Sequence, residues 1–323
     1  MLQDSFERRF SYLRLSLTES CNFRCNYCLP DGSACDNKAA ELTLAEIKQL
    51  VQGFAHAGTT KVRLTGGEPT LRRDLCSIIE TVRATDGITQ VALTTNGYRL
   101  NKDIHQWLDA GLTALNVSVD SLDADTFHLV TGQDRLPDIL AGIDRALALG
   151  LQKVKINTVL LRQYNGRSLS SFLEFVRDKP ISLRFIELMQ TGDNGAFFKT
   201  QHVSGQSIIS QLTAAGWQLM PRLANTGPAL EYAHPDYLGT IGLIMPYSDH
   251  FCDDCNRLRV SSTGQLFLCL FAEQHQNLRH LLGQNNPAAI VEFLQAQLQF
   301  KPFSHQLAKA QTGQTRQLAM IGG

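Results

Sequence analysis

The sequence predicts an α/β protein in which parallel strands surround a polar lumen. Two features carry that prediction: strand-like runs alternate with helical segments from Tyr12 to Glu187, and cations recur two positions apart inside several of the strands. Repeated strand–helix alternation implies parallel strands joined by right-handed crossovers, and so an open doubly wound sheet or a barrel, complete or partial. Strands covered on both faces should be apolar throughout. Instead Arg14, Ser16 and Thr18 share one strand face, as do Lys61, Arg63 and Thr65, and Lys153 and Lys155. Such positions suit a lumen unless they sit at frayed, solvated strand ends.

The strands are expected at Tyr12–Leu17, Lys61–Thr65, Gln90–Thr94, Ala114–Val119, Lys153–Val159 and Ser182–Glu187, most of them rich in Val, Ile, Leu and Thr. Helical periodicity falls at Leu44–Ala57, Asp74–Ala84, Ile104–Ala110, Ile139–Leu149 and Ser168–Arg177. Thr43 and Asp74 are placed to cap the first two. After Glu187 the rhythm breaks. Gln190-Thr-Gly-Asp-Asn-Gly-Ala reads as a turn-rich linker, dividing the chain into residues 1–190 and 191–323. The second part mixes helices with short strands such as Gly239–Met245 and Leu266–Leu270, and Arg222–Asp236 reads as irregular or as a hairpin.

The 323 residues suffice for one large domain or two smaller ones. Hydrophobic residues at 43% and charged residues at 19% argue against a long disordered chain. Lys+Arg and Asp+Glu are 30 each, which disfavours a nucleic-acid-coating role but leaves room for an anionic ligand held by locally gathered cations. No apolar run approaches the roughly 20 residues that span a bilayer, and the first residues lack the apolar segment of a secretory signal. A cytoplasmic protein is expected, whose thiols stay reduced. Eight cysteines then need a reason other than disulfides.

Their spacing supplies one. Cys21-Asn-Phe-Arg-Cys25-Asn-Tyr-Cys28 follows directly after the first strand, on the side where α/β folds place ligands. Cys252-Asp-Asp-Cys255, followed by Cys269, forms a second triad. Structural zinc closes with four protein ligands, whereas three thiolates on a four-iron cluster leave one iron open. Two triads therefore suggest two iron–sulfur clusters, each with a free iron for chemistry or binding. Zinc remains the alternative at the second, with His250 a conceivable fourth ligand. Cys35 could close the first cluster; otherwise Cys35 and Cys76 read as packed thiols.

With Tyr27 before its last cysteine, the first triad resembles the signature of the radical S-adenosylmethionine (SAM) superfamily. Gly66-Gly67-Glu68-Pro69, at the end of the second strand, resembles the superfamily's Gly-Gly-Glu motif. Cys252-Asp-Asp-Cys255-Asn-Arg257-Leu258-Arg259 with Cys269, and the final Ile321-Gly322-Gly323, are similar to the branch that serves molybdenum cofactor biosynthesis. Arg14-Leu-Ser-Leu-Thr, Lys61-Val-Arg63-Leu-Thr, Thr94-Thr95-Asn96-Gly97, Asn116-Val-Ser118-Val-Asp120, Lys155-Ile-Asn-Thr and Arg184-Phe-Ile-Glu-Leu-Met189 fit that branch too. The resemblance runs over nearly the whole chain.

It implies a partial (β/α)6 barrel in residues 1–190 and a C-terminal α+β extension, residues 191–323, carrying the second cluster. It implies that Cys21, Cys25 and Cys28 hold a [4Fe-4S] cluster whose open iron is chelated by SAM. Tyr27, Gly67, Ser118 and Met189 would contact SAM, with Gly66 and Glu68 shaping the site. Cys252, Cys255 and Cys269 would hold a second [4Fe-4S] cluster whose free iron takes the guanine of GTP. Arg14, Arg63, Thr94, Lys155, Arg184 and the segment Arg257-Leu258-Arg259 would bind GTP. Arg257, Arg259 and a tail of Gly322 and Gly323 entering the active site would serve catalysis. The implied reaction uses a 5′-deoxyadenosyl radical to take the C3′ hydrogen of GTP. Attack of C3′ on C8 then gives (8S)-3′,8-cyclo-7,8-dihydroguanosine 5′-triphosphate. An electron-donor protein, a homodimer and a downstream cyclic pyranopterin monophosphate synthase belong to the same implication. A triphosphate carries about four negative charges and takes Arg forks and Lys as partners, in keeping with the inward cations. The alternatives are a peptide-maturing radical SAM enzyme and a zinc scaffold without catalysis.

Overall fold

The computed structural model describes residues 1–33, 40–222 and 227–322. Its centre is a run of parallel strands, β1 (Tyr12–Ser16), β2 (Lys61–Thr65), β3 (Gln90–Thr95), β4 (Ala114–Ser118), β5 (Val154–Leu160) and β6 (Ser182–Glu187), neighbours in that order. The crossovers carry α1 (Leu44–His56), α2 (Leu75–Arg83), α3 (Leu100–Asp109), α4 (Ala124–Thr131), α5 (Leu136–Ala148) and α6 (Leu169–Arg177). The expected strands and helices are all present with slightly shifted ends. Helix α4 was not expected; Asp123 caps it, accepting from the Thr126 N–H at 2.8 Å.

Thr43 does cap α1, in a reciprocal box with Glu46: the Glu46 N–H donates to Thr43 Oγ1 at 3.2 Å, and the Thr43 N–H to Glu46 Oε2 at 2.8 Å. Asp74 does not cap α2. Its carboxylate is taken by the Arg72 fork, with both bonds at 2.8 Å. A two-pronged charged partner outcompetes a single backbone N–H for those oxygens.

Strand period two sorts the side chains. Leu13, Leu15, Val62, Leu64, Val91, Leu93, Leu115, Val117, Ile156, Leu183 and Phe185 are sealed in the core. Each contributes about 1.5–3 kcal/mol of burial. The alternate positions carry Arg14, Arg63, Thr94, Asn116, Lys155 and Arg184 on the opposite face. Lys153 is the exception to the expected pattern: it precedes β5 and is exposed.

Beyond residue 190 the chain adds helices α7 (Gly195–Gln201), α8 (Gln206–Ala214) and α9 (Pro287–Leu298). It also returns to both edges of the same sheet. β7 (Thr240–Ile244) lies parallel to β6, with Ile241 opposite Leu183. β8 (Arg257–Val260) lies parallel to β1, with Leu258 opposite Leu13. Residues 245–256 thus pass from one side of the six-strand core to the other, and they carry Cys252 and Cys255. Short antiparallel strands finish each edge: Leu230–Ala233 and Gln218–Leu219 beyond β7, Gln265–Phe267 and Gln276–Asn277 beyond β8. The expected strands at 239–245 and 266–270 correspond to β7 and Gln265–Phe267. The segment 222–236 includes one arm of a hairpin with β7, and its residues 223–226 lie outside the described ones. The two ends of the sheet are not hydrogen-bonded to each other among the described residues, so the barrel is partial. No described helix is long and apolar enough to cross a membrane.

Candidate active site

The loop after β1 carries the first triad, and the turn after β2 fixes it. The Gly67 N–H donates to the Thr18 carbonyl at 2.8 Å and the Glu68 N–H to the Ser20 carbonyl at 2.8 Å. The two chains approach so closely that a Cβ on Gly67 would lie 2.3 Å from the Ser20 oxygen, and one on Gly66 (φ +150°) 2.4 Å from the Thr18 oxygen. The fully buried Glu68 carboxylate then accepts from the Thr70 N–H and hydroxyl, the Thr95 hydroxyl and the Asn96 N–H at 2.6–3.0 Å. Gly-Gly-Glu is therefore a bracket that clamps the cysteine loop to the ends of β2 and β3.

One cavity brings together every residue expected around the first cluster and SAM: Cys21, Cys25, Cys28, Tyr27, Gly67, Ser118 and Met189. Thr65, Thr94, Asp120, Asn157, Leu318 and Ala319 are among its other walls. The Tyr27 hydroxyl donates to Asp120 Oδ2 at 2.9 Å. Burial raises the Asp120 carboxyl to about 6. On the cavity wall, Asn157 Oδ1 and Glu187 Oε2 are buried without a partner among the described residues, which marks the space as shaped for a polar group. Burial, followed by the neighbouring Cys21, pushes the Cys28 thiol up to about 12, and burial raises Cys21 and Cys25 as well. Iron binding here must displace protons.

The expected phosphate ligands gather on the adjoining strands. Register sets Arg259, Arg14 and Arg63 side by side across β8, β1 and β2, and in the next row Arg257, Tyr12 and Lys61. Neighbouring strands are about 4.8 Å apart, so these cations are crowded. Burial and then Arg259 oppose the charge of Arg14. Burial and then Arg257 lower Arg259 to about 10, and burial and then Arg184 lower Lys155 to about 7. An anion entering the hollow would relieve this stress. Arg63 Nη1 donates to Thr94 Oγ1 at 2.9 Å, and its Nε donates to the Tyr12 hydroxyl. Arg184 is paired with Glu231. Leu258 differs from the expectation: its side chain lies in the core, leaving only its backbone to the site.

The second triad is anchored from both ends of the chain. Arg8 Nη1 donates to the Cys252 carbonyl at 3.0 Å while its Nε holds Asp4 Oδ2 at 2.7 Å. Burial would raise the Cys255 thiol, but Lys301 and Arg257 bring it down to about 7. Cys255 and Cys269 both lie within electrostatic reach of Cys252, and Arg259 within reach of Cys269 and Cys255. His250 is exposed, with Nδ1 2.9 Å from Asp253 Oδ2, so the conceivable fourth ligand is engaged elsewhere. Among the described residues no group of three His, Cys, Asp or Glu side chains is set to hold a single metal ion. In a four-iron cluster each thiolate binds an iron of its own, so the donor set suits that group. Cys76 packs against the core on α2; Cys35 and Gly323 lie outside the described residues.

The tail joins the two regions. Ile321 is buried with Phe267, Leu270, Phe271 and Leu307. Arg259 Nη1 donates to the Gly322 carbonyl at 2.7 Å. Upstream, Leu318 and Ala319 line the cavity of the first triad, where their backbone opposes the rise of the Cys28 thiol. Sequence reasoning missed Tyr12, Glu231, Asp120 and Asn157 as site residues. Tyr12 was within reach, since it shares its strand parity with Arg14.

A parallel barrel with a three-thiol cavity, a row of cations on the inner faces of the neighbouring strands and a second thiol triad is the layout of a cluster-dependent radical enzyme. Residues 15–176 match the family model of the Radical SAM superfamily, and residues 181–307 that of Molybdenum Cofactor Synthesis C. Among solved structures, the fold is similar to Streptococcus suis SuiB bound to S-adenosylmethionine (TM-score 0.59, 13% identity, 90% of this chain and 68% of that one). It is also similar to anSMEcpe with bound AdoMet and Cp18Cys peptide (TM-score 0.58, 13% identity, 90% and 82%). Over its length the chain is 53% identical to the GTP 3′,8-cyclase of Haemophilus ducreyi (100% of this chain, 95% of the relative). It is 52% identical to that of Yersinia pestis (100% and 99%) and 51% identical to that of Vibrio atlanticus (99% and 97%). The chain belongs to the GTP 3′,8-cyclase family of radical SAM enzymes.

Proposed function

We propose that the protein converts GTP to (8S)-3′,8-cyclo-7,8-dihydroguanosine 5′-triphosphate in molybdenum cofactor biosynthesis. The observation that carries this reading is the row Arg259–Arg14–Arg63, set between the cavity of the first triad and the second triad. Cys21, Cys25 and Cys28 would hold one [4Fe-4S] cluster, and Cys252, Cys255 and Cys269 the other. When bound, the first cluster and SAM supply the 5′-deoxyadenosyl radical that takes the C3′ hydrogen.

The chain's own residues supply position. Arg14, Arg63 and Lys155 bind the triphosphate, with Arg184 and Arg257 at the margins. Thr94 lines the SAM cavity and also holds Arg63, so one side chain touches both substrate sites. Arg259 fixes the Gly322 carbonyl, which closes the hollow and excludes water. Tyr27, Gly67, Ser118 and Met189 form the SAM wall. Residues 1–190 and 191–323 act as the SAM part and the second-cluster part. A cytoplasmic homodimer, supplied by an electron-donor protein and passing its product to cyclic pyranopterin monophosphate synthase, completes the reading. The test is anaerobic reconstitution with iron, sulfide, SAM, reductant and GTP, followed by mass analysis of the nucleotide. A product isomeric with GTP alongside 5′-deoxyadenosine is expected; SAM cleavage indifferent to GTP would overturn the reading.

A further inference from the structure

We propose that Tyr12 is a positioning residue of the triphosphate site: its hydroxyl aims the Arg63 fork and its ring carries the Lys61 ammonium. The inference rests on the reading of the cationic hollow as the site for phosphate. Nothing in the motifs of the chain marks Tyr12, which lies upstream of the cysteine loop and is not itself a cation.

The geometry is specific. Tyr12 stands in register between two cations, Arg257 and Lys61, with Arg14 two residues on along the same strand face. It is 8% exposed. Its hydroxyl accepts from Arg63 Nε. Lys61 Nζ sits over its ring, 4.6 Å from the centroid, and the Arg63 guanidinium lies 5.8 Å from the same centroid. Arg63 is gripped at a second point by Thr94 Oγ1, at 2.9 Å. A guanidinium has five N–H donors in a rigid plane. Two hydroxyls engaging Nε and Nη1 fix that plane and leave the other donors for an incoming oxyanion. The ring attracts the ammonium through its negative face and spares it part of the repulsion from its neighbours.

The electrostatics agree. Burial would raise the Tyr12 phenol, but the charges of Arg63, Arg14 and Lys61 outweigh it and bring it down to about 7. The hydroxyl oxygen therefore serves as a strong acceptor and partly neutralises the cluster while no phosphate is present. A triphosphate replaces it in that second role and leaves it the first. Restraining the fork beforehand spares GTP the entropy of ordering it.

Tyr12→Phe keeps the ring and removes the hydroxyl. On the reconstituted enzyme, equilibrium binding of GTP is expected to weaken about tenfold, the size of a hydrogen bond to a charged group. Iron content, SAM affinity and guanosine affinity should stay as in the parent protein. In turnover the KM for GTP should rise while kcat holds. Arg63→Gln should weaken GTP binding by itself, and adding Tyr12→Phe to it should cost nothing more. The inference is overturned if Tyr12→Phe binds GTP normally, if guanosine binding falls as far as GTP binding, or if the two losses multiply. Unchanged GTP affinity in Arg63→Gln would instead sink the phosphate reading of the hollow, and the inference with it. Should Tyr12→Phe fail to load iron, Tyr12→His, which keeps a ring and an acceptor, is expected to bind GTP more tightly than Tyr12→Leu; equal affinities overturn the proposal.

Discussion

The Arg259 guanidinium donates to the carbonyl of Gly322 at 2.7 Å. This bond ties the last described residue of the chain to one end of the arginine row, and it leaves no space for a side chain. A Cβ on Gly322 would lie 2.1 Å from Thr65 Cγ2, and the backbone there has φ +66°. Gly322→Ala must therefore push the tail out of the hollow. Cyclisation is expected to fall by about a hundredfold while iron content stays normal. Quantifying cyclised nucleotide against 5′-deoxyadenosine tests this, and undiminished product would separate the tail from the chemistry.

The two triads predict separable losses. Cys21→Ser should abolish SAM cleavage. Cys252→Ser should keep about half of the wild-type iron, the share of one of two four-iron clusters, and should retain SAM cleavage without forming cyclised product. Iron analysis and 5′-deoxyadenosine assays on the same preparations check both. Persistent SAM cleavage in Cys21→Ser at full iron content would dismiss the assignment of the first triad.

Arg257 stands beside Tyr12 in the register and helps lower the Cys255 thiol. Arg257→Ala is expected to weaken GTP binding by about ten- to a hundredfold, while SAM cleavage uncoupled from cyclisation persists. Equilibrium binding and product analysis distinguish this from a general folding defect, which would lower SAM cleavage as well.

Lys155 carries a pH signature. Burial, then the charge of Arg184, lowers its ammonium to about 7 in the folded protein. Between about pH 7 and its unfolded value near 10.4, the unfolded chain holds the extra proton. The cost of burying the charge is thus full below pH 7 and fades as pH rises through that window. A bound triphosphate favours the charged form, so GTP binding near pH 8 should take up a proton at this site. Titration calorimetry in buffers of different ionisation enthalpy measures the uptake, and Lys155→Met should reduce it. Equal uptake in the variant would place the proton elsewhere.

The Glu68 carboxylate accepts from four donors while fully buried. Glu68→Gln sets an amide N–H₂ against some of those donors. A loss of about 2 kcal/mol, or roughly 3 °C in the anaerobic melting temperature, is expected together with poorer iron loading at the first triad. A melting temperature within a degree of the parent would show that the bracket tolerates a neutral acceptor.

The sequence by itself determined the features that depend on short spacings. Period two placed Arg14, Arg63 and Lys155 on the face opposite the apolar core. The cysteine spacings marked two triads, and Gly66-Gly67-Glu68 marked the turn that clamps the first. These are local because strand parity and loop length are properties of neighbouring residues. The tertiary structure alone decided that β7 and β8 join opposite edges of the same sheet, so that Arg259 meets Arg14, Glu231 pairs with Arg184, and Gly322 reaches Thr65. No spacing along the chain encodes those meetings. They follow from inter-strand hydrogen bonding and the packing of Ile321 and its neighbours, which pair residues far apart in sequence. Lys153 and Leu258 show the limit from the other side: Lys153 stands two positions from Lys155 and Leu258 between Arg257 and Arg259, yet one lies outside its strand and the other faces the core.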